Sequence, residues 1–293
     1  HMARNADAAF PIGVISAMAG ITDQLLRVAY TSYTGSYTAC EDELRALEQR
    51  HFEAAEEVVQ SKHERDALQD DLAMAFRALR QDVAALRFAA KEDLSLLTTA
   101  VAAWGERLSI LLVAAALRDS GVQAIAVRDE MIITDPPQDE VMSMFADLEV
   151  PFSITRADPL AGETRASVEA HLHPLIELGI VPIVAGFIGR TTTGYVTTLG
   201  RNGSDYSASV IGAALDCVEV SLYTDVDGIL TADPRVVANT RLLPQLSYGE
   251  AMRLSEFGAK VLHPRTLLPL VTRNIPVRVR NTFRPHTPGT LVG

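Results

Sequence analysis

Apolar residues recur at three- and four-residue intervals between residues 63 and 90, at Leu68, Leu72, Phe76, Leu79, Val83 and Leu86, with charges between them. That is the period of an amphipathic helix packing one face on a core. The flanking stretches 41–60 and 93–119 are also helix-forming, so the residues from about 31 to 120 read as a helical lobe. Ahead of them the short run 12–16 (IGVIS) predicts a buried strand, followed by small residues at 17–20 and a helix from about Thr22. After Gly121 the texture changes. Short apolar runs at 123–127, 131–134, 181–185, 218–223 and 277–280 predict strands. They alternate with helical stretches at 163–178, 207–215, 248–257 and 265–272. Short apolar strands alternating with helices imply an α/β fold, a mostly parallel sheet covered on both faces. Ligands of such sheets sit beyond the carboxyl ends of the strands. The loops starting near Ser16, Gly186 and Tyr223 would emerge there. No repeat or inter-domain linker stands out.

Composition narrows the partners. A net charge of −11 argues against broad binding to nucleic acid or anionic membranes. The 293 residues, 48% apolar, could hold one large α/β domain or two small ones, with a sizeable core. No apolar run is read as reaching the roughly 18–20 residues of a membrane span. The two cysteines, Cys40 and Cys217, lack metal-site or disulfide-framework spacing and fit a reducing cytoplasm. His1-Met2 reads as a tag remnant. Only three of the 26 basic residues are lysines, which makes Lys260, the only one after Lys91, conspicuous.

Five polar clusters interrupt the apolar pattern. The densest, Thr197 to Ser209 (TTLGRNGSDYSAS), brings Gly200, Arg201, Gly203, Ser204 and Asp205 in front of a helix. Glycines allow close backbone approach, a helix N-terminus offers N–H groups to an anion, and Arg201 adds a planar cationic fork. An ordinary capped strand-to-helix turn is the competing reading. The second cluster, TDVDGILTADPR from Thr224, follows an apolar strand and reads either as two turns or as a nucleotide-contacting loop. The third, SEFGAKVLHP, holds Lys260, a compact charge suited to a phosphoryl group, and His263, read as structural. In the fourth, WGERLS, Glu106 within an apolar helix is costly unless it is paired or faces a site. The fifth, SAMAGIT from Ser16, places two hydroxyls at a strand-to-helix turn. No triad, HxxxH or HxH pattern accompanies them, and no protein metal ligands are assigned.

In this order, the blocks SAMAGITDQLL, WGERLS, GFIG…TTLGRNGSDYSAS, TDVDGILTADPR, LSYGEAMRLSEFGAKVLHPRT and IPVRVRNTF…PGT resemble the catalytic domain of aspartokinases, within the amino-acid kinase family. The resemblance runs from about Gly13 to the end of the chain. It implies a three-layer αβα sandwich across residues 3–293, with a helical lobe at about 31–120 and an α/β core at about 121–293. It implies transfer of the ATP γ-phosphoryl group, with Mg²⁺, to the β-carboxylate of L-aspartate, the first step towards lysine, threonine and methionine. By the resemblance Ser16 and Thr22 match substrate-loop hydroxyls, and Glu106 matches the acidic residue that meets the substrate amino group. Phe187 falls at the GFIG turn. Arg201 matches the clamp on the substrate α-carboxylate, with Ser204 beside it and Asp205 as the organiser of the catalytic site. Thr224, Asp225, Asp233 and Arg235 fall at nucleotide positions, Lys260 at an ATP-contacting lysine, and Leu230 where tyrosine is common. A cytoplasmic homodimer is the family expectation.

The chemistry agrees with what is missing. A carboxylate acceptor is already deprotonated at neutral pH, so phosphoryl transfer to it needs charge and positioning more than a general base. Two departures stand out. The family's opening strand with its Lys-Phe-Gly-Gly-Thr-Ser phosphate loop has no counterpart here, and the chain stops where ACT regulatory domains or a fused enzyme are expected. The chain thus reads as a segment of a longer protein. Without a phosphate loop its turnover is expected to fall by several orders of magnitude, one preorganised charge being worth roughly 10²–10³ in rate. A binding module without turnover, and a kinase for another amino acid, are the competing functions.

Overall fold

All six apolar positions of the 63–90 stripe are buried along one helix. Burying one such side chain contributes roughly 1.5–3 kcal/mol, so this face commits the helix to the core. The computed structural model describes residues 10–141, 153–232, 237, 239–256 and 262–293. Two units divide the chain between Ser204 and Asp205.

The first unit opens with β1 (Gly13–Ile15), which turns through a left-handed Gly20 into α1 (Ile21–Tyr33). Next come α2 (Tyr37–Val58) and α3 (Lys62–Leu86). The segment expected as one helix at 93–119 is two, α4 (Leu94–Ala102) and α5 (Trp104–Asp119), meeting at Ala103. By length and composition Lys91–Asp119 could cross a membrane, which the sequence reading passed over. Most of it is buried inside the protein, as core helices are. The chain continues through β2 (Ala124–Val127), β3 (Ile133–Thr134), β4 (Gln138–Val141), β5 (Ser153–Arg156) and α6 (Ala161–Glu177). It then forms β6 (Val181–Ala185), β7 (Ile188–Thr191) and β8 (Val196–Thr198).

Two sheets organise this unit. The first, in the order β1-β6-β2, is wholly parallel, with Gly13–Ile15 opposite Ile183–Ala185 and Ala124–Val127 opposite Val181–Val184. Ile110 and Ala114 of α5 pack on Ala124, Val181 and Ile183. The second runs β3-β7-β8-β5-β4 and mixes parallel and antiparallel pairs. Its interior is unusually rich in threonine: Thr134 and Thr197 share a hydroxyl hydrogen bond of 3.0 Å, and the Thr198 hydroxyl donates to the Thr155 carbonyl at 2.7 Å. The helical core gathers residues of α1 to α5, from Ile21 and Leu25 to Leu112 and Ala115.

α7 (Gly203–Ala214) starts at the division and runs into the second unit. There follow β9 (Val220–Thr224), β10 (Gln245–Leu246), α8 (Tyr248–Glu256), α9 (Pro264–Val271), β11 (Val277–Asn281) and β12 (Thr290–Val292). The sheet order is β10-β12-β11-β9, with β9 and β11 parallel and β12 antiparallel to β11. Leu267, Leu270, Val277, Val279 and Val292 centre its core. The α/β class and the αβα sandwich read from the sequence are what the chain forms.

Gly105, at the start of α5, has no room for a side chain: a Cβ there would lie 2.7 Å from Ala17 Cβ. Overpacking of this kind costs about 1–3 kcal/mol. Gly105→Ala is therefore expected to lower the unfolding free energy by that amount, read as a lower urea midpoint at an unchanged m-value, whereas Gly162→Ala, in open space, should not.

Candidate active site

The parallel strands β1 and β6 end side by side, and three polar features meet at their carboxyl ends. Gly186 N–H donates to the Ile15 carbonyl at 2.9 Å, fixing the β6 turn beside the β1 turn. The next backbone group on the β1 side, Ala17 N–H, donates to Glu106 Oε1 at 3.2 Å. Glu106 itself is 3% exposed, and its Oε2 is buried with no hydrogen-bond partner among the described residues. Burial pushes its carboxyl up to about 7 from 4.5, against the opposing effect of the Ala17 N–H. Ser16 is exposed at the mouth of the same turn, and Thr22 is the second residue of α1. α1 lies close by: a Cβ on Gly105 would be 3.5 Å from Ile21 Cγ2.

The turn after β6 is tight. Phe187 has φ 63, left-handed for a side chain that rarely adopts it, and Ile188 N–H donates back to Gly186 O at 2.6 Å. This is the geometry of a γ-turn with a positive central φ, a conformation that holds only when the surroundings impose it. The surroundings are the start of α7. A Cβ on Gly186 would meet Ser204 Cα at 2.9 Å, and one on Gly203 would meet Phe187 Cα at 3.1 Å. Both glycines are there for close approach. Leu199 N–H also donates to the Phe187 carbonyl at 2.8 Å. Between Leu199 and α7 the chain turns through left-handed Gly200 and Asn202, which leave Arg201 exposed, with no ion pair among the described residues. The sequence reading placed no strand between residue 185 and the helix of this stretch. Instead the β7–β8 hairpin intervenes, and the helix starts at Gly203 rather than Ser207.

Ser16, Glu106, Phe187 and Ser204 thus gather around one set of strand ends in the first unit. Asp205 follows Ser204 in the first turn of α7; it is partly buried, and that burial raises its pKa.

In the second unit the parallel pair β9 and β11 also ends in polar loops. The Thr224 hydroxyl donates to Asp225 Oδ1 at 3.1 Å. Asn281, 2% exposed, holds both loops: its Nδ2 donates to the Asp225 carbonyl at 3.3 Å and to Asp227 Oδ1 at 2.7 Å. Its Oδ1 accepts from Phe283 N–H at 2.8 Å, and Asp227 pairs with Arg284 at 2.8 Å. Gly228 lies against Thr290, whose hydroxyl oxygen accepts from Ile229 N–H at 2.8 Å. Leu230, half-buried, bridges to Leu242. Asp233, Arg235 and Lys260 lie outside the described residues. Among the described residues no group of three or more His, Cys, Asp or Glu could hold a metal ion. Asn281, Asp227 and Thr290 are the loop-fixing residues that the sequence reading left without a role. The signal for Asn281 and Thr290 was the NTF…PGT block, and for Asp227 the TDVDG turn after an apolar strand.

With this geometry in view, comparison with known proteins places the chain. Residues 2–281 match the amino acid kinase family, and the chain belongs to it. Within that family it resembles aspartokinases. It is 34% identical to the lysine-sensitive aspartokinase 3 of Escherichia coli over 288 residues, 98% of this chain and 58% of that protein. It is 33% identical to a chloroplastic bifunctional aspartokinase/homoserine dehydrogenase 2 of Arabidopsis thaliana over 95% of this chain and 28% of that one. The crystal structure of Escherichia coli aspartokinase III in complex with aspartate and ADP superposes with a TM-score of 0.76 at 32% identity, covering 95% of this chain and 57% of that one. The chain therefore spans little more than half of the Escherichia coli relative.

The raised Glu106 pKa has a consequence for stability. Between pH 4.5 and about 7 the native state holds a proton here that the unfolded chain has lost, so this group's contribution falls as pH rises through that window. Above it the desolvated carboxylate costs roughly 3 kcal/mol. Glu106→Gln, which keeps an oxygen for Ala17, is expected to be more stable than the parent at pH 8 and nearly equal at pH 5. Denaturant melts at the two pH values check this. Parallel pH dependences in both proteins would contradict it.

Proposed function

We propose that the chain is the catalytic segment of an aspartate kinase, moving the γ-phosphoryl group of ATP to the β-carboxylate of L-aspartate to give 4-phospho-L-aspartate, the entry to lysine, threonine and methionine synthesis. The observation that carries this reading is the orphaned, buried oxygen of Glu106 beside the β1 and β6 strand ends. A buried carboxyl with an open acceptor position calls for a cationic guest. The α-ammonium of an amino acid is such a guest, and its charge would draw Glu106 into the ionised form. Arg201, exposed and without an ion pair among the described residues, supplies the fork for the α-carboxylate. Ser16, Thr22, Phe187 and Ser204 shape the amino-acid side. The similar Escherichia coli structure, bound to aspartate and ADP, supports the choice of substrate.

The nucleotide side falls to Thr224, Asp225, Leu230, Asp233, Arg235 and Lys260, with Asp205 and Lys260 acting at the reacting groups. In the reaction a β-carboxylate oxygen forms a bond to the γ-phosphorus while the bond from phosphorus to the β,γ-bridging oxygen breaks, releasing ADP. No proton has to be removed from the acceptor, and the protein's task is to align two anions and offset their charge. Mg²⁺ would arrive with the triphosphate, since the described residues build no cage for it.

Three results test the reading. Arg201→Ala should weaken L-aspartate binding about 100-fold, the scale of a lost charge-assisted pair, and leave ADP binding within about two-fold; equal losses would refute the carboxylate role. Calorimetry at pH 7 in buffers of different ionisation enthalpy should show proton release on L-aspartate binding, lost in Glu106→Gln. Hydroxylamine trapping of the acyl phosphate with L-aspartate, against other amino acids, fixes the acceptor.

A further inference from the structure

Among the described residues the Glu106 carboxyl has one hydrogen-bond partner in another residue, Ala17 N–H at 3.2 Å, too little to fix a carboxylate by itself. Its location is therefore set by the first turn of α5, and that turn is gripped from two sides. Two residues before Glu106, Trp104 Nε1 donates to Asp82 Oδ2 of α3 at 2.7 Å. One residue after it, Arg107 donates through Nε (3.1 Å) and Nη2 (2.5 Å) to Glu130 Oε1, in the segment between β2 and β3. The Arg107 guanidinium also lies 5.1 Å from the centroid of the Trp104 ring, so the two grips touch each other. Glu130 is itself anchored, its carbonyl accepting from Arg190 Nε of β7 at 2.9 Å. The Arg107–Glu130 pair is mostly withdrawn from solvent, with side-chain exposures of 20% and 18%. Gly105, pressed on Ala17, completes the turn.

A helix free to rotate carries its side-chain ends with it. At roughly 6 Å from the axis of an α-helix, a rotation of about 10° displaces a carboxylate by about 1 Å, and a misplacement of that size costs on the order of 10²-fold. We propose that Asp82, Trp104, Arg107 and Glu130 form a clamp of positioning residues that fixes the rotation of α5 and so aims Glu106 at the amino group of the substrate. The clamp touches neither substrate nor nucleotide; it acts through Glu106. This inference rests on the reading of Glu106 as the ammonium acceptor.

The test compares L-aspartate with succinate, which keeps both carboxylates and lacks the amino group, and with ADP, all titrated into the unmodified chain and its variants. Glu130→Gln and Asp82→Ala are expected to weaken L-aspartate about ten-fold and to leave succinate and ADP within two-fold. Asp82→Asn, whose amide oxygen still accepts from the indole N–H, should restore L-aspartate binding. Equal weakening of aspartate and succinate, or no weakening of either, overturns the clamp. If Glu130→Gln does not fold, the Asp82 pair decides alone. Glu106→Gln separates the two ideas. If it weakens L-aspartate and the clamp variants do not, the clamp falls and the functional reading stands. If it leaves L-aspartate unaffected, or the unmodified chain binds no L-aspartate, both fall.

Discussion

A carboxyl group taken out of water, with one oxygen tied to a backbone N–H and the other left open, sets the terms for everything around the β1 and β6 strand ends. Burying such a group is unfavourable unless a partner satisfies it. The fold tolerates it because the carboxyl stays largely neutral up to about pH 7. Around it the packing is close: Gly105 on Ala17, Ile21 and Leu25 on one side, and Trp104 and Arg107 tied down on the other. The site is expensive to build, and the surrounding core supplies the stability that offsets it.

The two units meet the same physical problem in different ways. A loop at the carboxyl end of a parallel strand loses its ladder partners, so its backbone groups need others. In the first unit close backbone contact does this work. Phe187 is forced into a left-handed turn, and Gly186 and Gly203 let the turn and α7 approach where no side chain fits. In the second unit one buried amide does it: Asn281 satisfies Asp225 and Asp227 with its Nδ2 and Phe283 with its Oδ1. The first device also packs Phe187 against the helical core, whereas the second rests on hydrogen bonds of a buried amide.

This difference also decides what was legible in the sequence. The stripe from Leu68 to Leu86 is readable because burial there is apolar and periodic. The β7–β8 hairpin escaped the reading because its inward positions include Thr191, Thr197 and Thr198, buried threonines satisfied by neighbours such as Thr134 and Thr155. Two-residue β10, and β12 behind its glycine turn, are too short to leave a period, whereas β3 falls within the strand read at 131–134. Residues with a charge or hydroxyl in an ordered motif, such as Glu106 and Arg201, could be picked out, since their chemistry is local to the motif. The residues that hold them could not. Asn281 reaches Asp227 across 54 positions, and Arg107 reaches Glu130 across 23, distances over which a single sequence carries no pairing signal.

If the proposed function holds, Glu106 and Arg201 would divide recognition of a zwitterion according to their surroundings. An exposed guanidinium is charged at every relevant pH and attracts any carboxylate, so it selects little by itself. A buried carboxyl near its own midpoint discriminates, because it gains its charge only when a cation arrives to share the cavity. A dicarboxylate without an amino group would leave Oε2 of Glu106 still unpartnered and place a second anion near it, a mismatch of the kind that rejects analogues far more strongly than a missing methylene does. On the proposed function, selectivity for an amino acid over a simple diacid would therefore rest on the burial of Glu106, and its aim on the turn of helix that carries it.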